Sequence, residues 1–328
     1  MNRALVFLAA SAAAALAVTS ACLASTNTNH DFRADNIHFT LRPEAGRNEV
    51  RLSLRTGSDG HSSMSSSFGT SELVGVDPAA LRSNGPAPLR FALVRDAGRV
   101  DCTGTSRNQR ADGDCRFSAD PAFSDLLAAR GIGRPTAGQS YEMMVVGVRR
   151  ELVEALHSAR YPAPTIDRLT ELAAVGIDRR FIDDLAGRGY RPDSLGDLVE
   201  FGALDITPAY IDGMARAGFR NMNADAIVQF KALDVTPAYV AELARIGYSE
   251  LSADEVVELK ALDVTPAYVE SFARIGYPKL SADTLVQLKA LGVTPEYVAS
   301  LRSRGLVDLT PTQLVALGSF DGHRGKAR

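Results

Sequence analysis

The chain has 328 residues, of which 45% are hydrophobic and 23% charged, and its net charge is −3. This composition is typical of a folded globular chain and excludes a disordered one. It also argues against nucleic-acid binding, because residues 231–300 hold six basic and ten acidic residues, a net charge of 6 − 10 = −4. A phosphate-binding surface needs an excess of cations.

Residues 1–21 have the pattern of a secretory signal peptide. The chain begins with Met1-Asn2-Arg3, and the apolar run from Ala4 to Val18 contains only Ser11 as a polar residue. A basic start followed by a short apolar core is typical of such signals. The run is shorter than the roughly 20 residues of a spanning helix. We therefore expect an exported chain that resides in the periplasm or on the bacterial envelope.

The end of this signal, Val18-Thr19-Ser20-Ala21-Cys22, resembles a bacterial lipobox. The resemblance implies that Cys22 is lipidated and becomes the mature N-terminus, although Thr19 stands where Leu is usual. Several acyl chains would anchor the protein stably to a membrane. Ordinary cleavage after Ala21 or Ala24 is the alternative. Residues 22–35 are predicted to form a polar linker.

Residues 36–119 have the alternation of β-strands. Apolar residues recur at every second position in three segments, 37–41, 50–54 and 89–93. A period of two predicts strands with one buried face, and hence a small antiparallel sheet of four or five strands. The Ser/Gly-rich stretch 57–69 is predicted to be a loop. We expect the apolar face of the sheet to pack on helices that follow it.

Two cysteines, Cys102 and Cys115, flank a turn-rich segment of this module. If the flanks pair symmetrically about residues 108 and 109, Cys102 lies opposite Cys115 and Val100 lies opposite Phe117. Export to a compartment that permits disulfides favours a cross-strand disulfide. Two free thiols are the alternative, and a metal site is not expected without a histidine between them.

A 29-residue repeat follows. The pair Thr-Pro occurs at 207–208, 236–237, 265–266 and 294–295, and "KALDVTPAYV" is written at 231–240 and again at 260–269. One tyrosine and one glycine recur in the same phase, namely Tyr210, Tyr239, Tyr268 and Tyr297, with Gly218, Gly247, Gly276 and Gly305. A fixed period of this length indicates stacked supersecondary structures.

The sequence of each repeat predicts two short helices. In the repeat that begins at Thr236, the hydroxyl can cap a first helix, and Pro237 suits its first position. Gly247 ends that helix, and Ser252 with Glu255 forms a capping box for a second one. Helices of about ten residues are marginal alone in water. Each must therefore bury its apolar stripe against neighbouring repeats.

The phase extends backwards and predicts seven first helices, beginning near 120, 149, 178, 207, 236, 265 and 294. A last helix of the second type is predicted before a polar tail at 321–328. The predicted fold class is therefore α+β, with a small antiparallel β module at 36–119 and an α-solenoid of two-helix repeats at 120–320.

The segments "LSADEVVELKALDVTPAYV" and "VTPAYVAELARIGY" resemble repeats of exported or membrane-anchored bacterial proteins. Some of those follow a zinc metallopeptidase domain of the beta-lactamase-regulator sensor kind, and others accompany anti-sigma-type regulators. The upstream strand module also resembles the one that commonly precedes these repeats. The peptidase part is absent here, since the chain has no His-Glu-x-x-His motif. The resemblance implies an extracytoplasmic sensing or interaction module.

No catalytic constellation is evident. The five histidines are scattered, at His30, His38, His61, His157 and His323. Glu154 and His157 share a helix face but have no second ligand pair nearby. The serines beside His61 lack a nucleophile-elbow motif, and "ADGDC" at 111–115 lacks the ligand spacing of a calcium loop. We therefore predict no catalytic residues, no bound metal and no cofactor.

Three polar columns recur with the repeat and form the candidate interaction surface. They are Lys231, Lys260 and Lys289; Arg216, Arg245 and Arg274; and Asp205, Asp234 and Asp263. A recognition surface for a protein or peptide is one explanation of the columns. Local Lys–Asp pairing at helix ends is another, and recent duplication would also copy them. The tyrosine column is expected to pack between repeats, with each hydroxyl at the edge.

These patterns predict a non-enzymatic envelope protein that acts as an interaction or sensing scaffold through its repeats. A hydrolase or carbohydrate-binding enzyme with a site where the sheet meets the solenoid is one alternative. A structural spacer is the other.

Overall fold

The computed structural model describes residues 34–44, 49–56 and 62–325. The signal peptide, Cys22 and residues 22–33 of the linker lie outside these ranges, and so do His30 and His61. Within the described residues the chain divides into two compact units, an N-terminal unit that ends at Ala203 and a C-terminal unit that begins at Leu204. An antiparallel sheet followed by successive short helices confirms the predicted fold class.

The sheet has seven strands rather than the predicted four or five, and all neighbouring strands pair antiparallel in the order β3-β2-β1-β7-β6-β5-β4. The strands are β1 (Ile37–Pro43), β2 (Glu49–Thr56), β3 (Ser62–Gly69), β4 (Leu73–Val74), β5 (Ala87–Arg95), β6 (Gly98–Arg107) and β7 (Arg110–Ala119). The predicted alternation holds, since Phe39, Leu41, Leu52 and Leu54 are fully buried on one face.

Strand β3 corrects the prediction of a loop over the serine-rich stretch. Residues 62–69 pair with β2 along their whole length, from Glu49 opposite Gly69 to Thr56 opposite Ser62. Serine has little intrinsic preference for strands, so the pairing partner decides the conformation. The side chains of Ser53 and Ser65 share a hydrogen bond of 3.0 Å across the two strands.

The cysteine hairpin is confirmed. Cys102 and Cys115 are disulfide-bonded, and the pairing of β6 with β7 places Val100 opposite Phe117. The turn contains Asn108 and Gln109, both with positive φ of 50° and 58°, as a two-residue hairpin turn requires. Both cysteines lie on the buried face of the sheet.

A glycine pair lets an aromatic ring approach the backbone of the hairpin closely. Gly104 and Gly113 are opposite each other in β6 and β7, and a Cβ on either residue would collide with the ring of Phe39. Phe39 also contacts Phe91 edge to face, with ring centroids 5.0 Å apart. The two glycines are therefore needed because the ring approaches their backbone closely.

Fifteen α-helices are described. The short α1 (Pro78–Arg82) lies within the β module. The first helices of the seven repeats are α2 (Pro121–Ala129), α4 (Arg150–Ser158), α6 (Arg179–Gly187), α8 (Pro208–Arg216), α10 (Pro237–Arg245), α12 (Pro266–Arg274) and α14 (Pro295–Ser303). The second helices are α3 (Ala137–Val146), α5 (Ile166–Ala174), α7 (Leu195–Ala203), α9 (Ala224–Ala232), α11 (Ala253–Ala261), α13 (Ala282–Ala290) and α15 (Pro311–Gly325).

All seven predicted first helices begin at the predicted phase, each directly after its N-cap residue. The hydroxyl of Thr236 accepts a hydrogen bond from the N–H of Tyr239 at 3.1 Å, and Pro237 occupies the first helical position. Gly247 ends this helix with φ of 101°. The N–H of Tyr248 then donates to the carbonyl of Leu243 at 3.0 Å, as in a Schellman motif.

The repeat that begins at 149 has no capping side chain of its own, because its N-cap residue is Arg149. The carboxylate of Asp96, in the turn between β5 and β6, accepts a hydrogen bond from the N–H of Arg150 at 2.6 Å instead. The neighbouring Arg95 donates to the carbonyls of Met144 and Val145 at the end of α3, at 2.8 and 2.6 Å. One turn of the sheet thus caps two helix ends.

The sheet also packs on the first repeat, as expected. Phe117 of β7 contacts Tyr141 of α3, with ring centroids 5.4 Å apart, and Met144 of the same helix is fully buried. At the other end of the array, α15 continues to Gly325, five residues into the segment that was predicted to be a polar tail. Among the described residues no helix is long and apolar enough to cross a membrane.

Candidate interaction surface

The tyrosine column joins the two ends of each repeat. The hydroxyls of Tyr210, Tyr239 and Tyr268 donate to carbonyls 25 residues later, those of Val235, Val264 and Val293, at 2.7, 2.7 and 2.9 Å. Burial raises the pKa of Tyr239 and Tyr268 to about 12. The rings pack against the apolar core, in agreement with the prediction that this column is structural.

A second tyrosine column connects each repeat to the next one. The hydroxyl of Tyr248 donates to the carbonyl of Leu280, and that of Tyr277 donates to the carbonyl of Leu309, both at 2.7 Å. In the N-terminal unit Tyr161 makes a corresponding bond of 3.0 Å to the carbonyl of Pro192. Each bond ties the end of a first helix to the start of the second helix of the next repeat.

The lysine column lies on the tyrosine rings. The Nζ atoms of Lys231, Lys260 and Lys289 stand 5.2, 5.1 and 4.9 Å from the ring centroids of Tyr210, Tyr239 and Tyr268. Such cation–π contacts stabilise by about 0.5–1 kcal/mol at exposed sites. The Lys260 and Lys289 side chains are only 25% and 30% exposed. Packing therefore explains the repetition of this column.

The aspartate column pairs with lysines of the following repeat. Lys260 lies 3.7 Å from the carboxylate of Asp234, and Lys289 lies 3.6 Å from that of Asp263. The local pairing of a Lys with the Asp three residues later in its own repeat is therefore wrong for Lys260, which contacts Asp234 rather than Asp263. Lys289 has Gly292 at that position. Each ion pair instead connects neighbouring repeats, like the second tyrosine column.

These aspartates occupy a backbone position that suits glycine. Asp205, Asp234 and Asp263 have φ of 52°, 55° and 52°, whereas the same position of other repeats holds Gly176 and Gly292. The left-handed conformation disfavours most side chains, although aspartate tolerates it better than most. The carboxylate thus offers an ion pair that glycine cannot. The side chains of Asp234 and Asp263 are nevertheless 87% and 84% exposed.

The arginine column is exposed, like the aspartate column. Arg216, Arg245 and Arg274 all lie in the last turn of a first helix and are exposed. Arg245 forms an ion pair of 3.1 Å with Glu270 of the next repeat. Cations at this position interact favourably with the negative end of the helix. Of the candidate surface, the arginines and the aspartates remain available to solvent, whereas the lysines are largely covered.

A further column was missed by the sequence analysis. Asp225, Asp254 and Asp283 occupy the second position of α9, α11 and α13, and all three are exposed. Together with Glu258 they form the acidic strip of the C-terminal unit. Partial burial raises the pKa of Glu258, and Asp283 and Asp254 raise it further by repulsion. The period of 29 residues was the signal that could have found this column.

The other polar candidates have ordinary partners. His38 lies 3.3 Å from Asp114 on the exposed side of the sheet. Glu154 pairs with Arg130 at 2.7 Å rather than acting together with His157. Within the described ranges no three acidic, histidine or cysteine side chains are placed to hold a metal ion.

The N-terminal unit contains a small apolar pocket. Its volume is about 90 Å³, and its lining includes Ala159, Tyr161, Ile182, Leu185 and Tyr190. This is too small for the roughly 300–1,000 Å³ typical of small-molecule sites.

Comparison with protein-family models, with curated proteins and with solved structures gives no match for this chain. The resemblance to repeats of sensor peptidases and anti-sigma-type regulators therefore stays a prediction.

Proposed function

We propose that this chain is an exported, non-enzymatic scaffold that binds a protein or peptide of the bacterial envelope through its helical repeats. The proposal is supported by a difference in exposure among the side chains that recur with the repeat. The tyrosines and lysines of the C-terminal unit make contacts within and between repeats. The arginines and the three aspartates of the acidic strip recur with the same period but remain exposed.

A partner that carries a positively charged segment suits the acidic strip. Its carboxylates repel each other, since Asp254 and Asp283 both raise the pKa of Glu258. Repulsion between these carboxylates destabilises the free protein slightly. A cationic partner would relieve it. Electrostatic attraction of this kind chiefly increases the rate of association. Binding should therefore weaken as the salt concentration rises.

The chain would act at the envelope, either lipidated on Cys22 or released into the periplasm after cleavage of the signal peptide. The resemblance of the repeats to those of sensor peptidases supports an extracytoplasmic role. An enzyme and a passive spacer remain the alternative predictions.

Site-specific photocrosslinking in living cells tests the proposal. A photoreactive residue replaces Asp254 in the acidic strip, and in a control chain it replaces Val94, a half-exposed residue on strand β5 of the N-terminal unit. We expect one dominant protein adduct from position 254 and none of the same mass from position 94. The adduct should disappear when Asp225 and Asp283 are both changed to Lys.

Two results would contradict the proposal. Adducts of equal yield from both positions would indicate nonspecific contact. Absence of an adduct from every exposed column, including Arg245, would favour the spacer.

A further inference from the structure

Four arginines lie side by side on the sheet, one on each of four neighbouring strands. Arg51 of β2 is opposite Arg42 of β1, and Arg107 of β6 is opposite Arg110 of β7. The pairing of β1 with β7 reaches the residues next to Arg42 and Arg110, which brings these two together on the same face. All four residues are exposed. We call them the arginine row.

The arginine row is repulsive in the free protein. Like charges directly opposite each other in a sheet are destabilising, and the row contains three such neighbouring pairs. Arg51 is balanced by Glu44, at 2.9 Å. The side chains of the other three arginines make no hydrogen bond or ion pair within the described ranges, whereas Arg99 on the same face of β6 is paired with Asp101. Contacts within the fold therefore do not explain why the row is cationic.

Two further carboxylates lie one row away, on either side of the arginine row. Glu49 is two residues before Arg51 on β2, and Asp112 is two residues after Arg110 on β7. Neither is within ion-pair distance of the three unpaired arginines. They lower the positive potential of the surface, so an anion should bind weakly and be released as the salt concentration rises.

An extended array of anionic groups fits the row better than one small anion. The four strands are neighbours in the sheet, so the row spans three strand spacings, or about 14 Å. A guanidinium binds a phosphate through two parallel hydrogen bonds. One phosphate can therefore engage only part of the row, and several phosphates side by side are needed to engage all of it.

The neighbouring side chains favour a phospholipid surface over a nucleic acid. The next row of the same face holds Ser53, Thr40, Asp112 and Thr105. Proteins that bind single strands provide aromatic rings on which the bases stack, and this row has none. The carboxylate of Asp112 would also repel a strand that crossed the sheet. Anionic lipid headgroups, in contrast, are attracted by charge alone.

We propose that the arginine row binds the surface of a membrane that contains anionic phospholipids, through the phosphates of their headgroups. The length of the preceding chain permits this contact. Ala34 follows Cys22 by 12 residues, which can span up to about 40 Å, and Arg42 lies eight residues further on, at most about 27 Å away. The proposal rests neither on lipidation of Cys22 nor on the protein partner proposed above.

Co-sedimentation with lipid vesicles tests the proposal. The chain is produced as residues 23–328, which contain every described strand and helix but lack Cys22 and the apolar signal segment. We expect binding to vesicles of phosphatidylglycerol and phosphatidylcholine, and none to phosphatidylcholine alone. Arg42→Gln with Arg107→Gln should weaken binding about 25-fold, roughly fivefold for each arginine removed.

Two matched controls separate the arginine row from net charge and from detailed geometry. Arg220→Gln with Arg304→Gln removes the same charge at exposed positions of the C-terminal unit and should leave binding unchanged. Arg42→Lys with Arg107→Lys keeps the charge of the row and should bind like the parent chain, because a lipid surface is recognised by charge.

The circular dichroism of the glutamine variant should match that of the parent chain, because both side chains are exposed and unpaired. If it does not, Arg110→Gln serves as the second variant, with an expected loss of about fivefold. The proposal is overturned if the parent binds neutral vesicles equally well, if the glutamine variant binds like the parent, or if either control loses as much as the glutamine variant. Preference of the parent for a single-stranded oligonucleotide over vesicles, at equal phosphate concentration, would also overturn it.

Discussion

The hydrogen bond from Tyr239 to the carbonyl of Val264 joins the two ends of one repeat, and its contribution to the free energy of unfolding can be measured. Tyr239→Phe removes the hydroxyl and keeps the ring, so the contact with Lys260 at 5.1 Å is retained. The lost bond is 2.7 Å long, and its acceptor belongs to a fully buried residue. A hydrogen bond of this kind contributes about 1 kcal/mol, and an acceptor left without a partner adds to the cost. We expect a loss of about 1–2 kcal/mol in the free energy of unfolding.

The assay is urea unfolding followed by circular dichroism, with Tyr190→Phe as the matched control. Burial raises the pKa of Tyr190 to about 12, as it does for Tyr239, but no described residue accepts a hydrogen bond from its hydroxyl. The control should therefore change stability by less than about 0.5 kcal/mol, as substitutions outside such features usually do. Equal losses in both variants would refute the reasoning, because the effect would then follow burial of the hydroxyl rather than its bond.

Three further predictions concern other contacts of the fold. Asp96→Ala should cost about 1 kcal/mol in urea unfolding, because α4 loses the carboxylate that caps it, whereas Asp96→Asn should cost less; equal costs would contradict a capping role. Gly113→Ala should destabilise by about 1–3 kcal/mol, because its Cβ would overlap neighbouring atoms, whereas Gly187→Ala at an open helical position should be neutral or stabilising. The stability that Tyr239 and Tyr268 contribute through their raised pKa values should be fully present below about pH 10 and fall from there towards pH 12. They hold their protons in the folded state up to a pKa of about 12 and release them earlier when unfolded; a flat stability profile between pH 10 and pH 12 would contradict the raised pKa values.

Much of the helical array could be predicted because its signals are local. A helix start needs a capping hydroxyl and a proline within two residues, as at Thr236 and Pro237, and a helix end needs a glycine such as Gly247. These residues recur every 29 positions, so weak copies gain support from strong ones. The degenerate repeat that begins at Arg149 was placed by phase alone, and its helix does begin at Arg150.

Other features depend on partners that are distant in sequence. The cap of α4 comes from Asp96, 54 residues earlier, and Lys260 pairs with an aspartate of the preceding repeat rather than with its neighbour. Strand β3 has no alternation to reveal it and is held by pairing with β2. Periodicity could identify the polar columns, but only geometry distinguishes the covered lysines from the exposed arginines.

The account depends most on the claim that equivalent residues make equivalent contacts in successive repeats. Deletion of residues 236–264 removes one period and joins Val235 to Thr265, a junction of the same kind as Val264 with Thr265. The most direct measurement is the circular dichroism and urea unfolding of this variant, beside one that lacks residues 236–257 and so breaks the period. We predict that the in-period deletion stays folded, loses the two nine-residue helices α10 and α11 and still unfolds cooperatively, whereas the other deletion loses far more helix. Collapse of both variants to the same unfolded state would contradict the claim.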